Sequence, residues 1–207
     1  MTHAVKKKIF SKGLTVLELL VVIGIMAVIS TVVLSHYPEF GGSLSLGRVA
    51  RETALSVRQA QAYGLGVRGL TGSVQYPPYG IFFSQETPNE FILFADLNDS
   101  GAGNGFYDPG DGCGSDNTEC VEQYDYSSKE YIAELCTMNG DSGDCDETVD
   151  DFSITFKRPE PEAYIRSSAS PSQLYNGALV RLVSRKYPAK QQLVRVWVTG
   201  QISVLGQ

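Results

Sequence analysis

The chain has 207 residues, with 17 Lys and Arg, 23 Asp and Glu, and a formal net charge of −6 at pH 7. This length suits one membrane anchor and one globular domain of ordinary size. The acidic balance argues against a general nucleic-acid-binding surface, because recognition of phosphates requires a basic patch or stripe.

The first predicted element is a membrane-spanning helix over residues 14–36. From Leu14 to Leu34 there are 21 residues, and Glu18 is the only charged one. As a helix rising about 1.5 Å per residue, this run is roughly 31 Å long, close to the thickness of a bilayer's hydrocarbon core. Four lysines precede the run and predict a cytoplasmic N-terminal flank and an exported remainder. They are Lys6, Lys7, Lys8 and Lys12.

Glu18 distinguishes this run from an ordinary membrane helix. A carboxylate inside an apolar span is disfavoured and usually has a partner. A secretory signal peptide has a shorter apolar core without an acid, and a plain single-span anchor accounts for neither Gly13 nor Glu18. Both alternatives therefore leave these two residues unexplained.

The basic leader ends in Gly13, within the segment Lys12–Ile23. Leu14 and Thr15 follow directly, and Glu18 is the fifth residue after that glycine. This segment resembles the type III signal of type IV prepilins and type II secretion pseudoprepilins, most of which have Phe where this chain has Leu14. The resemblance implies that a prepilin peptidase cleaves between Gly13 and Leu14 and methylates the new N-terminus. It also implies that Glu18 neutralises the N-terminal amine of a neighbouring subunit during filament assembly.

After the anchor, the sequence predicts an interruption followed by an amphipathic helix. Pro38 lacks a backbone donor and is followed by Gly41 and Gly42, which predicts a break. Residues 44–63 then carry apolar and small side chains at three- and four-residue steps. The members of this face are Leu46, Val49, Ala50, Thr53, Ala54, Val57 and Ala60.

We expect the apolar face of this helix to pack on a sheet, with Gly64 and Gly66 at its end. The opposite face is rich in arginine. An alternative use of Arg48, Arg51 and Arg58 is docking on acidic neighbours in a filament.

From Gly72 onward, short aromatic and β-branched runs alternate with turn residues, which is typical of antiparallel strands. The last two runs are joined by Gly200 and Gln201, a hairpin signal. Because the helix must cover a sheet face, the pattern predicts an α+β fold. The predicted strands are Ser73–Tyr76, Tyr79–Ser84, Phe91–Ala95, Phe152–Lys157, Leu179–Arg185, Leu193–Thr199 and Ile202–Leu205.

This order of elements, together with the runs Phe156–Pro159 and Val198–Ile202, resembles the minor pilins and the H-type minor pseudopilins. The resemblance implies a pilin fold: a long hydrophobic N-terminal helix, here with a break expected near Pro38, and an antiparallel β-sheet head packed on the C-terminal half of that helix. The implied organisation is a cleaved leader at 1–13, a transmembrane and filament-core helix at 14–36, a linker and amphipathic helix at 37–66, and a β-rich head at 67–207 with a cysteine-containing insertion at 112–151.

All four cysteines lie in this acidic, glycine-rich insertion. An even number of clustered cysteines on the exported side predicts two disulfides. Three connectivities are open, and the pairs Cys113–Cys120 and Cys136–Cys145 close the shortest loops. A zinc site is disfavoured, because the spacings C-x6-C and C-x8-C have no nearby His.

An acidic, glycine-rich loop follows the third predicted strand. Asp96, Asn98 and Ser100 place oxygen atoms at alternate positions, as at the opening of an EF-hand-type calcium loop. The twelfth position is Tyr107 rather than Glu, so the match ends there. Asn, Asp and Gly are also ordinary turn formers. An irregular calcium cage would use Asp96, Asn98, Asn104, Asp108 and Asp111.

Catalysis has little support in the sequence. The chain has no G-x-S-x-G, no H-E-x-x-H and no phosphate-cradling Gly-Lys-Ser run, and oxidised cysteines leave no thiol nucleophile. We therefore expect no enzymatic activity and no cofactor other than calcium at the acidic loop.

The resemblance implies instead a structural subunit, a minor pilin or pseudopilin, of a type II secretion or type IV pilus filament. The chain would cross the bacterial inner membrane once, with its head on the periplasmic or extracellular side. The implied partners are a prepilin peptidase, the inner membrane before assembly, and other pilins or pseudopilins; a nucleic acid is not expected, although a role in DNA uptake stays open. The alternative function is an adhesin or ligand-binding head on a pilin anchor.

Overall fold

The structure is a computed structural model. It describes residues 15–66, 76–97, 103–110, 112–113, 118–126, 129–140 and 142–206, with the side chains of 35–41 outside the description. The chain divides into two compact units, Met1–Gly41 and Gly42–Gln207. Its elements are α1 (Val16–Leu65), β1 (Tyr79–Ser84), β2 (Glu90–Ala95), β3 (Cys120–Asp125), β4 (Glu130–Met138), β5 (Glu147–Thr148), β6 (Asp151–Phe156), β7 (Ala163–Arg166), β8 (Gly177–Ser184), β9 (Gln191–Trp197) and β10 (Ile202–Gly206).

Helix α1 passes through the position where the sequence predicts a break. The backbone is helical from Val16 to Leu65, including Pro38, Gly41 and Gly42. A proline inside a helix removes one N–H donor and crowds the preceding turn, but the residues on either side can keep their own backbone hydrogen bonds. The predicted break near Pro38 is therefore wrong.

Within the second unit, α1 is buried along the face that the periodicity predicts. All seven predicted positions are buried, and Leu46, Ala50, Val57 and Ala60 are no more than 1% exposed. Full burial of a side chain such as Leu46 stabilises the fold by about 1.5–3 kcal/mol. The arginine-rich face of the same helix is exposed.

Two five-stranded antiparallel sheets form the rest of the second unit. The strand order is β3-β2-β1-β6-β7 in the first sheet and β10-β9-β8-β4-β5 in the second. Inward side chains of both sheets join the buried face of α1 in one hydrophobic core, which includes Phe83, Phe152, Leu135 and Val180. The fold is thus an apolar N-terminal helix followed by antiparallel sheets, an α+β arrangement.

Six of the seven predicted strands are present. Strand β1 has the predicted bounds, and β2, β6, β8, β9 and β10 agree within two residues at each end. The seventh predicted strand is Ser73–Tyr76. Residues 73–75 lie outside the described residues, and Tyr76 is not in a strand. Strands β3, β4, β5 and β7 were not predicted. Because β3 pairs with β2 and β4 lies between β8 and β5, the cysteine-rich segment supplies strands to both sheets.

Gly64, near the end of α1, allows the helix to approach β6 closely. A Cβ atom at this position would overlap the carbonyl oxygen of Phe156 and lie 2.9 Å from its carbonyl carbon. Backbone atoms of a central strand cannot move aside as the end of a flexible side chain can. By contrast, a Cβ at Gly47 would meet nothing within 4 Å.

We expect Gly64→Ala to destabilise the fold by about 1–3 kcal/mol, because overpacking forces the helix away from the sheet. Gly47→Ala is the matched control: it should stabilise the fold by about 0.5–1 kcal/mol, since Ala loses less entropy than Gly in a helix. The measurement is chemical unfolding of the full chain in detergent, followed by circular dichroism. Equal shifts of the same sign in both variants would contradict this account of the contact.

Candidate functional site

The N-terminal part of α1 is an exposed apolar surface. The 19 residues from Val16 to Leu34 have a mean hydropathy of 2.7, and each of their side chains is exposed. Exposed apolar surface of this extent requires lipid or another protein to cover it. At about 1.5 Å per residue the segment is roughly 28 Å long, so it is long and apolar enough to span a membrane.

Glu18 lies in the first turn of this segment, where the helix itself favours an acid. The backbone N–H of Glu18 donates to the Oγ1 of Thr15 at 3.2 Å, and the N–H of Leu19 donates to the Thr15 carbonyl oxygen at 3.1 Å. Thr15 is therefore the N-cap and Glu18 the third helical residue, the spacing of a capping box. The sequence signal for this cap is the T-x-x-E pattern that Thr15 and Glu18 form. Gly13 and Leu14 lie outside the described residues.

The second candidate site is the acidic loop after β2. Asp96 is 2% exposed, and its two carboxylate oxygens accept the backbone N–H groups of Asn104 at 2.8 Å and Gly105 at 2.7 Å. Gly103 and Gly105 have φ values of +72° and +84°, which let the chain fold back on Asp96. The amide of Asn104 donates to Asp108 at 2.8 Å.

The structure thus brings together Asp96, Asn104 and Asp108, three of the five residues predicted to bind calcium. Asn98 and Asp111 lie outside the described residues, so the calcium site stays a prediction. The Asp96 carboxylate accepts N–H groups eight and nine residues along the chain, so it closes the loop through the backbone.

Sequence reasoning missed a second buried carboxylate that holds the same loop. Glu119 is 5% exposed, and it accepts the N–H groups of Leu97 and Asp108, each at 2.7 Å. Its partners lie 22 and 11 residues earlier in the chain. No local motif could have identified this residue. Asp96 and Glu119 together fix the start and the end of the loop.

Burial dominates the electrostatics of this pair. It raises the pKa of Glu119 from 4.5 to about 7, and the two N–H donors oppose that change only in part. The nearby charges of Asp96 and Asp108 raise this pKa further. Burial also raises the pKa of Asp96, against the effect of its own N–H donors.

Both predicted disulfides are present, and their pairing is the one that closes the shortest loops. Cys113 pairs with Cys120 and Cys136 with Cys145, with Cα–Cα distances of 4.6 and 5.5 Å. The sulfur atoms of the second pair and the Glu134 carboxylate lie within 4.8 Å of one another. This group is not a metal site, because sulfur atoms joined in a disulfide are no longer thiolate ligands.

No family model, curated protein or solved structure matches the chain.

The raised pKa of Glu119 makes stability depend on pH. In the window from about 4.5 to about 7 the folded state holds a proton that the unfolded state releases, so stability falls as pH rises through it. Asp96 adds a change of the same sign, because its pKa is also raised. Glu119→Gln should flatten this slope, since Gln does not titrate.

The measurement is the Tm of the full chain in detergent across that pH window, for the natural protein and Glu119→Gln. Glu147→Gln, an exposed acid in β5, is the control and should leave the slope unchanged. A Tm that rises through the window, or identical slopes for all three proteins, would contradict the assignment.

Proposed function

We propose that this chain is a structural subunit, a minor pilin or pseudopilin, of a type II secretion or type IV pilus filament. It is inserted into the bacterial inner membrane, cleaved between Gly13 and Leu14 by a prepilin peptidase, and assembled through its N-terminal helix. The observation that carries the proposal is a single acid, Glu18, in the first turn of an exposed apolar helix that can span a membrane.

Local structure explains only in part why an acid occupies position 18. Its place in a capping box and at the positive end of the helix dipole makes an acid favourable at this position. The charge itself has no ion-pair partner among the described residues. A carboxylate in an apolar span usually has such a partner. Cleavage before Leu14 would create a cationic N-terminal amine on a neighbouring subunit. That amine would be an ion-pair partner for the Glu18 carboxylate.

The second unit fits an exported head. Its disulfides, Cys113–Cys120 and Cys136–Cys145, belong to an oxidising compartment, and the lysine-rich flank before the apolar run favours a cytoplasmic N-terminus. These two observations support the same orientation, with residues 42–207 on the periplasmic or extracellular side.

Two substitutions at Glu18 separate assembly from capping. Glu18→Gln keeps a side chain that can complete a capping box but removes the charge, whereas Glu18→Leu removes both. We expect both variants to be cleaved and inserted but to be lost from sheared filaments, because a subunit in either case leaves its neighbour's amine uncompensated.

Thr31→Val is the matched control in the same segment. The Thr31 hydroxyl donates to the Ala27 carbonyl oxygen at 2.8 Å within its own helix, so its removal should leave assembly intact. Mass spectrometry of the mature chain should give a methylated N-terminus at Leu14. A mature chain that begins at Met1, or a Glu18→Gln variant that assembles normally, would overturn the proposal.

A further inference from the structure

A small polar cavity lies between the acidic loop and the strands β6 and β7, entirely within the second unit. It has a volume of about 50 Å³. One water molecule needs about 10–15 Å³ of such space, so the cavity has room for roughly three to five waters, which is about the size of one phosphate or sulfate ion. Its lining residues include Asp96, Asn104, Thr155, Lys157, Tyr164 and Arg166.

Strand alternation accounts for the side chains on the sheet side of this cavity. Ile154 and Phe156 of β6 and Ala163 and Ile165 of β7 are buried in the hydrophobic core. Successive side chains of a strand point to opposite faces, so the residues that alternate with these four point away from the core. At the cavity they are Thr155, Lys157, Tyr164 and Arg166.

Two of these side chains carry positive charge without an ion-pair partner. Lys157 and Arg166 form no salt bridge with any described residue. The Lys157 ammonium lies over the ring of Tyr164, 4.8 Å from its centroid, and the Nη1 of Arg166 donates to the Asn104 carbonyl oxygen at 3.1 Å. The Nε of Arg166 is buried and has no hydrogen-bond partner in the described part of the chain. Both cations are thus positioned by neutral groups and keep their charge for an anion.

The cavity also contains an acceptor, because Asp96 is part of its lining. The two Asp96 carboxylate oxygens accept the backbone N–H groups of Asn104 and Gly105. A carboxylate has about four lone-pair positions, so roughly two remain for a further donor. Phosphate keeps a proton near neutral pH and can donate it to a carboxylate, whereas sulfate has no proton to donate and is repelled. Two cations beside a carboxylate therefore favour phosphate over sulfate.

We infer that this cavity binds a phosphate ion that still carries a proton, with Lys157 and Arg166 neutralising its charge and Asp96 accepting its proton in a hydrogen bond. Free phosphate and the phosphate group of a small phosphomonoester share this chemistry. The inference rests on residues of the second unit alone and goes beyond the proposed filament role, which rests on the apolar helix.

The first measurement is titration calorimetry of the full chain in a maltoside detergent, in buffer free of phosphate and of divalent cations. The probe is inorganic phosphate, compared with sulfate at the same ionic strength. We expect saturable binding of phosphate and about tenfold weaker binding of sulfate, because sulfate leaves the Asp96 carboxylate without a donor. Absence of saturable phosphate binding, or equal affinity for the two ions, would overturn the inference.

Glycerol phosphate distinguishes the two sources of the phosphate group. Affinity equal to that of inorganic phosphate would support a site for a phosphate group on a larger molecule. Weaker affinity would support a site for the free ion, because the cavity leaves little room beyond one phosphate.

The second measurement compares two neighbouring cations. Lys157→Gln should weaken phosphate binding about tenfold, because it removes a charge that faces the ion. Arg158→Gln is the matched control and should leave the affinity unchanged. It removes the same charge from the next residue, whose guanidinium lies over the ring of Tyr76 at 4.7 Å and is not part of the cavity lining. Equal losses in both variants would indicate a general effect of net charge and overturn the site.

Amide NMR locates the bound ion. The N–H resonances of Gly103, Asn104 and Gly105 should shift as phosphate is added, with the same Kd as in calorimetry, since all three residues line the cavity. Unaltered circular dichroism of Lys157→Gln shows that its head is folded. Shifts confined to other parts of the chain would contradict the site even where calorimetry shows binding.

Failure of this inference is distinct from failure of the proposed function. A chain that begins at Leu14 and enters filaments but does not bind phosphate would overturn the phosphate site alone. A chain that begins at Met1 and binds phosphate with the expected preference over sulfate would support the site and overturn the filament role.

Discussion

A charged side chain in an apolar span must be compensated, and Glu18 receives only part of that compensation from its own helix. Thr15 caps the first turn, and the helix dipole favours an acid there, so the backbone around Glu18 is satisfied. The carboxylate charge is not neutralised by any described residue. A helix that exposes apolar side chains all round requires lipid or protein contact, and the charge at its end favours a cation among those contacts.

The two parts of α1 differ in what covers their apolar side chains. From Val16 to Leu34 every side chain is exposed, whereas from Leu46 onward one face of the helix is buried, with Leu55 an exposed exception. The second part is covered by the two sheets of its own unit, through close approaches such as the one at Gly64. The first part has no such cover among the described residues, so lipid or another protein must cover it.

The sequence predicted elements wherever one chemical pattern dominated a whole segment. The buried face of α1 and strands such as β1 and β8 follow from periodicity and β-branched content. Strands β3 and β4 were missed because they carry charged residues, Glu122 and Glu134 among them, that suit an exposed loop; pairing with β2 and β8 decided their structure instead. The break predicted at Pro38 is absent, since the backbone stays helical from Val16 to Leu65; a proline can kink a helix without ending it.

The acidic loop shows why a site is harder to predict than a strand. Carboxylate oxygens can bind either cations or backbone N–H groups, so the spacing of Asp96 and Asn104 is compatible with both a calcium cage and a turn. What distinguishes them is where the N–H donors lie, and two of those come to Glu119 from residues far earlier in the chain. Such a carboxylate is recognisable only after folding. The buried acids Asp96 and Glu119 thus hold the loop through backbone N–H donors that only the folded chain brings to them.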